Sequence, residues 1–354
     1  MLEAFYGICQ MGAVMVPLNY RLSADDFAYI LNHSDSKVLI VDAEYTAPIV
    51  SIKDQLSRIK HFIVVQVDGC QSSLDGLDYE GLLADANDDE FDQEIDENDL
   101  LTINYTSGTT SRPKGVMMTH RNNYINTADF MFHLRVEPDD VYLHTLPMFH
   151  ANGWGGVWAI TAVGGTHVCL RKVDPEKILQ LLDKENVTLA CGAPTVINML
   201  VNAPGIEHFQ PKIKRRMATA GSPPPAALIQ KAQRLLSMEI IHVYGLTETA
   251  PFILHCEWNQ NLSKLPPEEQ AVIKARQGIE MVFNGETTVF NSDGNEVAHD
   301  GIEIGEIVTR GNVVMEGYYK QPEETKKAIR NGWFYTGDLA VIHPDGYIEI
   351  LDRA

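Results

Sequence analysis

A short apolar strand, a charged helix and a second apolar strand follow one another across residues 166–194, as "THVCL" (166–170), "DPEKILQLLDKEN" (174–186) and "VTLACGAP" (187–194). Strands running the same way cannot be joined by a tight turn, so an intervening helix commits the chain to parallel pairing with helices laid over the sheet. The rhythm also occurs earlier. "KVLIVD" (37–42) and "HFIVVQV" (61–67) read as buried strands, and "SADDFAYILNHS" (23–34) reads as a helix capped by Ser23. After about residue 285 the texture changes. "GETTVFNSDGNEVAHDGIEIGEIVTRG" alternates in short runs broken by Asp293-Gly294 and Asp300-Gly301, which predicts antiparallel β structure as a small barrel or sandwich. The expected fold class is α/β: parallel and mixed sheets flanked by helices over 1–284, then a small β-rich subdomain over 285–354.

At 354 residues the chain exceeds one small core, and its 45 % apolar and 21 % charged shares are those of a globular protein. No run reaches the roughly 18 apolar residues of a membrane helix. The amino terminus carries Glu3 and no basic stretch, which makes a poor signal peptide. A formal charge of −20 argues against nucleic acid, whose phosphates need clustered Lys and Arg. Cys9, Cys70, Cys169, Cys191 and Cys256 are scattered without a CxxC pair, and read as thiols of a reducing, cytoplasmic compartment. "DANDDEFDQEIDEND" (85–99) holds nine acids and no base, and reads as a solvated linker.

The chemistry first shows in "YTSGTTSRPKGVMMTH" (105–120). From Gly108 to Lys114 it approaches the phosphate-loop pattern GxxxxGK[ST] but departs twice. Pro113 replaces the second Gly, and Gly115 stands where a hydroxyl should bind Mg²⁺. The physics of anion binding survives these departures. "LLTINY" (100–105) enters as a strand, and small residues let backbone N–H groups converge on an oxyanion. Thr106, Ser107, Thr109 and Thr110 add hydroxyl donors, and Lys114 adds a point charge. Taken alone, these residues fit a phosphate cradle or a solvent-exposed turn.

The whole string resembles the signature loop of the adenylate-forming (ANL) superfamily, which includes acyl-CoA synthetases, luciferases and peptide-synthetase adenylation domains. "VYGLTETAP" (243–251), "GWFYTGDLA" (332–340) and "DGYIEILDRA" (345–354) are similar to its further signatures, in the same order. "LPMFHANGW" (146–154), "TAGSPPP" (219–225) and "GEIVTRGNVVMEGYYKQPEET" (305–325) match the linking segments, so the likeness covers essentially the whole chain. It implies an acid–thiol ligase. ATP and a carboxylic acid give an acyl-adenylate and pyrophosphate, and CoA then displaces AMP, with Mg²⁺ required.

Residue by residue, the resemblance assigns Thr106, Ser107, Gly108, Thr109, Thr110 and Lys114 to the β- and γ-phosphates. It makes Glu248 the Mg²⁺ ligand, Thr247 a contact of the α-phosphate and Tyr244 the aromatic face for adenine. Gly221, Ser222 and Pro223 would line the adenine pocket. Asp338 and Arg353 would hold the ribose, a pairing that suits an acceptor-only carboxylate. Lys114, Thr247, Glu248 and His150 form the implied catalytic set. The implied acyl pocket comprises His150, Trp154 and Gly245, with Gly245 leaving room for the acid's carboxylate end and pocket depth set near Trp154, Val157, Ala193 and Pro194. Trp154 reads equally as an acyl-tunnel gate or as a core residue.

"HCEWNQNLSKLPPEEQAVIKARQG" (255–278) is similar to the branch with medium- and long-chain fatty-acid–CoA ligases, so a fatty acid is the expected substrate. An aryl or short-chain acid–CoA ligase, an acyl-AMP ligase loading a carrier protein and a nucleotide-binding paralogue without activity stay open. A homodimer stays open too. The family pattern places further sheet and helix before Met1 and a small domain with a catalytic lysine after Ala354. A chain without that cation is expected to adenylate about 10²–10³-fold more slowly, by analogy with loss of one transition-state donor.

Overall fold

In the computed structural model, which describes residues 1–87, 89, 93–106 and 112–353, the anticipated strand–helix–strand unit is Thr166–Val168, Pro175–Lys184 and Leu189–Cys191. Pro175 opens the helix, and the Asp174 side chain accepts from Lys177 N at 2.7 Å, so both start signals lie where the first turn has free N–H groups. The two strands are parallel but not adjacent, because Val141–Leu143 lies between them and pairs with both. The seven-stranded sheet runs Ile279–Glu280, Phe252–His255, Met238–Gly245, Arg215–Thr219, Leu189–Cys191, Val141–Leu143, Thr166–Val168. From Met238–Gly245 onwards every pairing is parallel; the two pairings beyond it are antiparallel.

The period-2 geometry of a strand divides this sheet's side chains between two cores. Tyr142, Leu189, Cys191, Ala218 and Ile241 point to one face, against Phe130, Trp154, Ile160 and Phe252. Their neighbours Leu143, Ala190, Met217 and Ile240 point to the other, against Ile178, Leu182, Leu200, Ile229 and Leu236. Each fully buried aliphatic side chain contributes roughly 1.5–3 kcal/mol. A separate three-stranded parallel sheet holds Val38–Asp42, His61–Val65 and Leu77–Asp78. Beside it, helix Ala24–His33 starts at Ser23 with a reciprocal capping box to Asp26. Within the acidic segment, residues 88 and 90–92 lie outside the described residues; the remainder is exposed apart from half-buried Ile95. The five cysteines are free thiols, three of them buried.

Two further sheets position the chemistry. Leu100–Thr106 and Lys114–Thr119 pair antiparallel, with Thr106 opposite Lys114, and Gly317–Tyr318 joins the outer edge with Tyr318 opposite Val116. The expected antiparallel region is one five-stranded sheet: Gly285–Phe290, Gly305–Gly311, Trp333–Ile342, Ile329–Arg330 and Ile348–Arg353, with Trp333–Ile342 pairing three neighbours. Its inner side chains Val289, Ile307, Ala340 and Ile342 share a core with Val116, Met118, Ile253 and Leu254. That shared core leaves no need for a second facing sheet.

Candidate active site

Open parallel sheets present loops at the carboxyl ends of their strands, and ligands bind there. Met238–Gly245 ends in Tyr244 and Gly245, and its parallel neighbour Arg215–Thr219 runs out into Gly221, Ser222 and Pro223, which are exposed. Tyr244 and the turn at 221–223 thus share one sheet edge. The Tyr244 hydroxyl donates to Asp338 Oδ2 at 2.5 Å, and Arg353 Nε donates to Asp338 Oδ1 at 3.1 Å. Asp338 and Arg353 are register partners on Trp333–Ile342 and Ile348–Arg353. The Asp338 carboxylate is nearly buried, with both oxygens engaged. Burial first, and the adjacent Asp338 charge second, push the Tyr244 phenol well above its ordinary range, so it remains a donor.

Past Gly245 the chain turns through a short 3-10 helix, Thr247–Thr249, and returns as Phe252–His255. Glu248 Oε1 accepts from the Tyr318 hydroxyl at 2.9 Å, and the Glu248 carbonyl accepts from Met315 N. Burial raises the Glu248 carboxyl above its usual range, while the Tyr318 hydrogen bond and the charges of Lys114 and Arg353 oppose that shift. A carboxylate penalised in this way gains from a nearby cation. Lys114 Nζ lies 2.7 Å from Glu324 Oε2 and 4.8 Å from the centre of the Tyr318 ring. Tyr318 therefore touches both the ammonium and the Glu248 carboxylate. Tyr318 and Glu324 went unremarked in the sequence, although both lie within "GYYKQPEET". Their partners stand 70 and 210 residues away, so spacing carries no signal.

Thr106 and Lys114 stand opposite each other at the base of the hairpin. Ser107, Gly108, Thr109 and Thr110, the remainder of the expected cradle, lie outside the described residues. The room that Gly245 leaves is taken by the main chain: a Cβ there would come 2.6 Å from the Pro251 carbonyl carbon and 2.9 Å from Phe252 Cα.

His150 is exposed, and desolvation by the protein around it lowers the imidazole pKa. Ala151, Asn152, Gly153, Trp154 and Gly155 all follow it with positive φ, between 35° and 97°. A left-handed run costs roughly 1–2 kcal/mol per non-glycine residue. Buried Asn152 helps hold it by donating to Thr102 Oγ1 at 3.1 Å and to Asn123 Oδ1 at 3.4 Å. Trp154 is 6 % exposed and packs edge-on against Phe252, ring centres 5.6 Å apart. The core reading of this residue fits its surroundings. Val157 lies in a different cluster, with Phe5, Cys9 and Leu101. Among the described residues, no helix is long and apolar enough to cross a membrane.

The profile of the family described as AMP-binding enzyme matches residues 1–319. The chain is 44 % identical to 4-hydroxybutyrate–CoA ligase 2 of Metallosphaera sedula over 99 % of its own length and 65 % of that protein's. Against the peroxisomal benzoate–CoA ligase of Arabidopsis thaliana it is 38 % identical, covering 99 % of this chain and 63 % of the relative. The chain thus spans about two thirds of the length of such relatives. Among solved structures, the inhibitor-bound N-terminal domain of FACL13 from Mycobacterium tuberculosis superposes with a TM-score of 0.86 at 30 % identity, over 99 % of this chain and 82 % of that one. From its matched motifs, its fold and these relatives, the chain belongs to the AMP-binding enzyme family, the adenylate-forming superfamily whose matched relatives are CoA ligases.

Proposed function

We propose that this chain carries the adenylate-forming site of an AMP-forming acid–CoA ligase, in which a carboxylate attacks the α-phosphorus of ATP, pyrophosphate leaves, and the CoA thiol then displaces AMP. One observation carries the reading. Asp338 is held by Tyr244 and Arg353, Glu248 is held by Tyr318 beside Lys114, and the charges of both Lys114 and Arg353 act on Glu248, which ties the two carboxylates into one neighbourhood. An acceptor-only carboxylate suits two ribose hydroxyls. Lys114 suits the departing phosphates, and Thr106, its register partner, and Thr247 would add hydroxyls. Tyr244 and the turn at Gly221, Ser222 and Pro223 would flank adenine. Glu248 is the residue that would hold Mg²⁺, whose charge neutralises phosphate oxygens. His150 would separate the acid from the incoming thiol, the role that the family resemblance gives it. The protein's contribution is positioning and charge complementarity, the main levers for in-line displacement at phosphorus.

Of the acid classes open from the sequence, we favour a short-chain or aryl acid over a fatty acid. Trp154 is buried in the core against Phe252, where it would shorten an acyl slot, and relatives at 38–44 % identity are named for 4-hydroxybutyrate, 2-methylpropanoate and benzoate. The test is calorimetric titration with non-hydrolysable acyl-adenylate analogues of graded acyl length. Binding with an optimum at short or aromatic acyl groups, weakened in Asp338→Asn, is expected. Failure of every analogue to bind overturns the adenylate site, and an optimum at long aliphatic chains overturns the acid class.

A further inference from the structure

Apart from these residues, helix His120–His133 ends beside strand Phe252–His255, and His133, His255 and Glu257 converge. One ligating atom from each lies within 4.8 Å of the other two, and the imidazole ring centres are 4.9 Å apart. Both His side chains are buried, at 5 % and 7 % exposure, whereas the Glu257 carboxylate is half-exposed. Buried polar atoms are ordinarily hydrogen-bonded, and an unpaired one costs roughly 1–3 kcal/mol. Three here have no hydrogen-bond partner among the described residues: His133 Nδ1, His255 Nδ1 and Asp129 Oδ2. His255 Nδ1 is 3.4 Å from Glu257 Oε2, too long and poorly aimed to be a good hydrogen bond but near the ligand–ligand spacing of a tetrahedral ion.

We propose that His133, His255 and Glu257 form a binding site for a borderline-soft divalent transition ion, with Zn²⁺ as its natural occupant. Two imidazoles and one carboxylate are a zinc donor set, and three protein ligands leave a fourth position for water. Zn–N and Zn–O bonds of about 2.0–2.2 Å put tetrahedral ligand atoms about 3.4 Å apart, so separations of up to 4.8 Å must shorten by about 1.4 Å at most. The half-exposed Glu257 side chain is free to rotate toward the ion, and its solvent side is the entry path. His133 Nε2 currently accepts from Val282 N at 3.1 Å, which leaves the imidazole proton on the unpartnered Nδ1. Coordination through Nδ1 moves that proton to Nε2, where Asp129 Oδ1 lies 3.5 Å away to accept it, and Val282 N–H turns aside. The ring stays neutral, and the buried Asp129 carboxylate orients it from behind the metal. The ion would tie the end of the helix to the strand that returns from the Glu248 turn, and this inference stands without the proposed ligase reaction.

Metal-free protein is titrated with Zn²⁺ by calorimetry and with Co²⁺ by visible absorption, with thermal unfolding as a third readout. One equivalent is expected to bind, with a tetrahedral Co²⁺ spectrum lacking thiolate charge-transfer bands and a higher unfolding temperature. Glu257→Gln and His255→Gln should each weaken Zn²⁺ at least tenfold, and Asp129→Asn should weaken it by about 10–100-fold as an outer-shell change. Glu257→Gln lies at a half-exposed site and so tests the idea even if the buried variants do not fold. No stoichiometric binding, unchanged affinity in Glu257→Gln, or a thiolate signature pointing to a cysteine each overturns the proposal.

Discussion

Gly245→Ala distinguishes two reasons for a glycine in the adenylate motif. If Gly245 leaves room only for the acid, a methyl group there should alter substrate preference and leave the fold alone. The structure places that methyl against backbone, 2.6 Å from the Pro251 carbonyl carbon, where no side chain can swing aside. Gly245 faces Phe252 at a register shift between two antiparallel strands, and the Pro251 carbonyl accepts from Leu246 N at 3.1 Å. Separating the strands forfeits that hydrogen bond, about 1 kcal/mol, and adds overpacking strain of roughly 1–3 kcal/mol. The expected loss of stability is about 2–4 kcal/mol. The assay is urea unfolding of parent and variant by tryptophan fluorescence, with nucleotide titration under native conditions. Because Tyr244 and Glu248 flank the displaced backbone, nucleotide affinity should fall as well. Stability within about 0.5 kcal/mol of the parent, with only acid preference altered, would refute the packing argument.

Asp338→Asn removes the charge that accepts from Tyr244 and Arg353; at about 1.5–3 kcal/mol for a hydrogen bond to a charged group, AMP should bind roughly 10–150-fold more weakly. Free adenine serves as the control in that titration, and an equal loss for both ligands would remove Asp338 from the ribose. Glu248, whose carboxyl burial raises above the usual 4.5, should lose its cation affinity as pH falls through that raised value. The sign for stability is opposite: the folded state binds this proton more tightly, so the contribution is full below 4.5 and is lost as pH rises through the folded-state value. Mg²⁺-dependence of nucleotide binding across a pH series checks the first point, and a flat profile contradicts it. Trp154→Ala should cost about 3–5 kcal/mol in denaturant unfolding, as expected for a buried indole packed on Phe252. A cost below about 1 kcal/mol would return Trp154 to the role of a loosely held gate.

What the chain's own pattern determined is local. The runs at 37–42, 61–67, 166–170 and 187–194 became strands, but only Leu189–Cys191 is covered on both faces; Val38–Asp42 and His61–Val65, expected to be buried, are covered only in part because they lie in a small separate sheet. Ser23 and Asp174 began helices because their side chains satisfy free N–H groups. The motif residues Lys114, Tyr244, Glu248 and Asp338 were legible as strings, each within a few residues of its neighbours. Tertiary structure alone decided which of them meet. Tyr318 reaches Glu248, and Glu324 holds Lys114, because Gly317–Tyr318 pairs with the hairpin strand. The five-strand sheet closes on the hairpin's own core, a consequence of shared burial that alternation within 285–354 does not encode. His133 and His255 read as unrelated residues until helix and strand packed together. Hydrophobic periodicity acts over a turn or a pleat, whereas a site depends on contacts whose partners are chosen only when the sheets close.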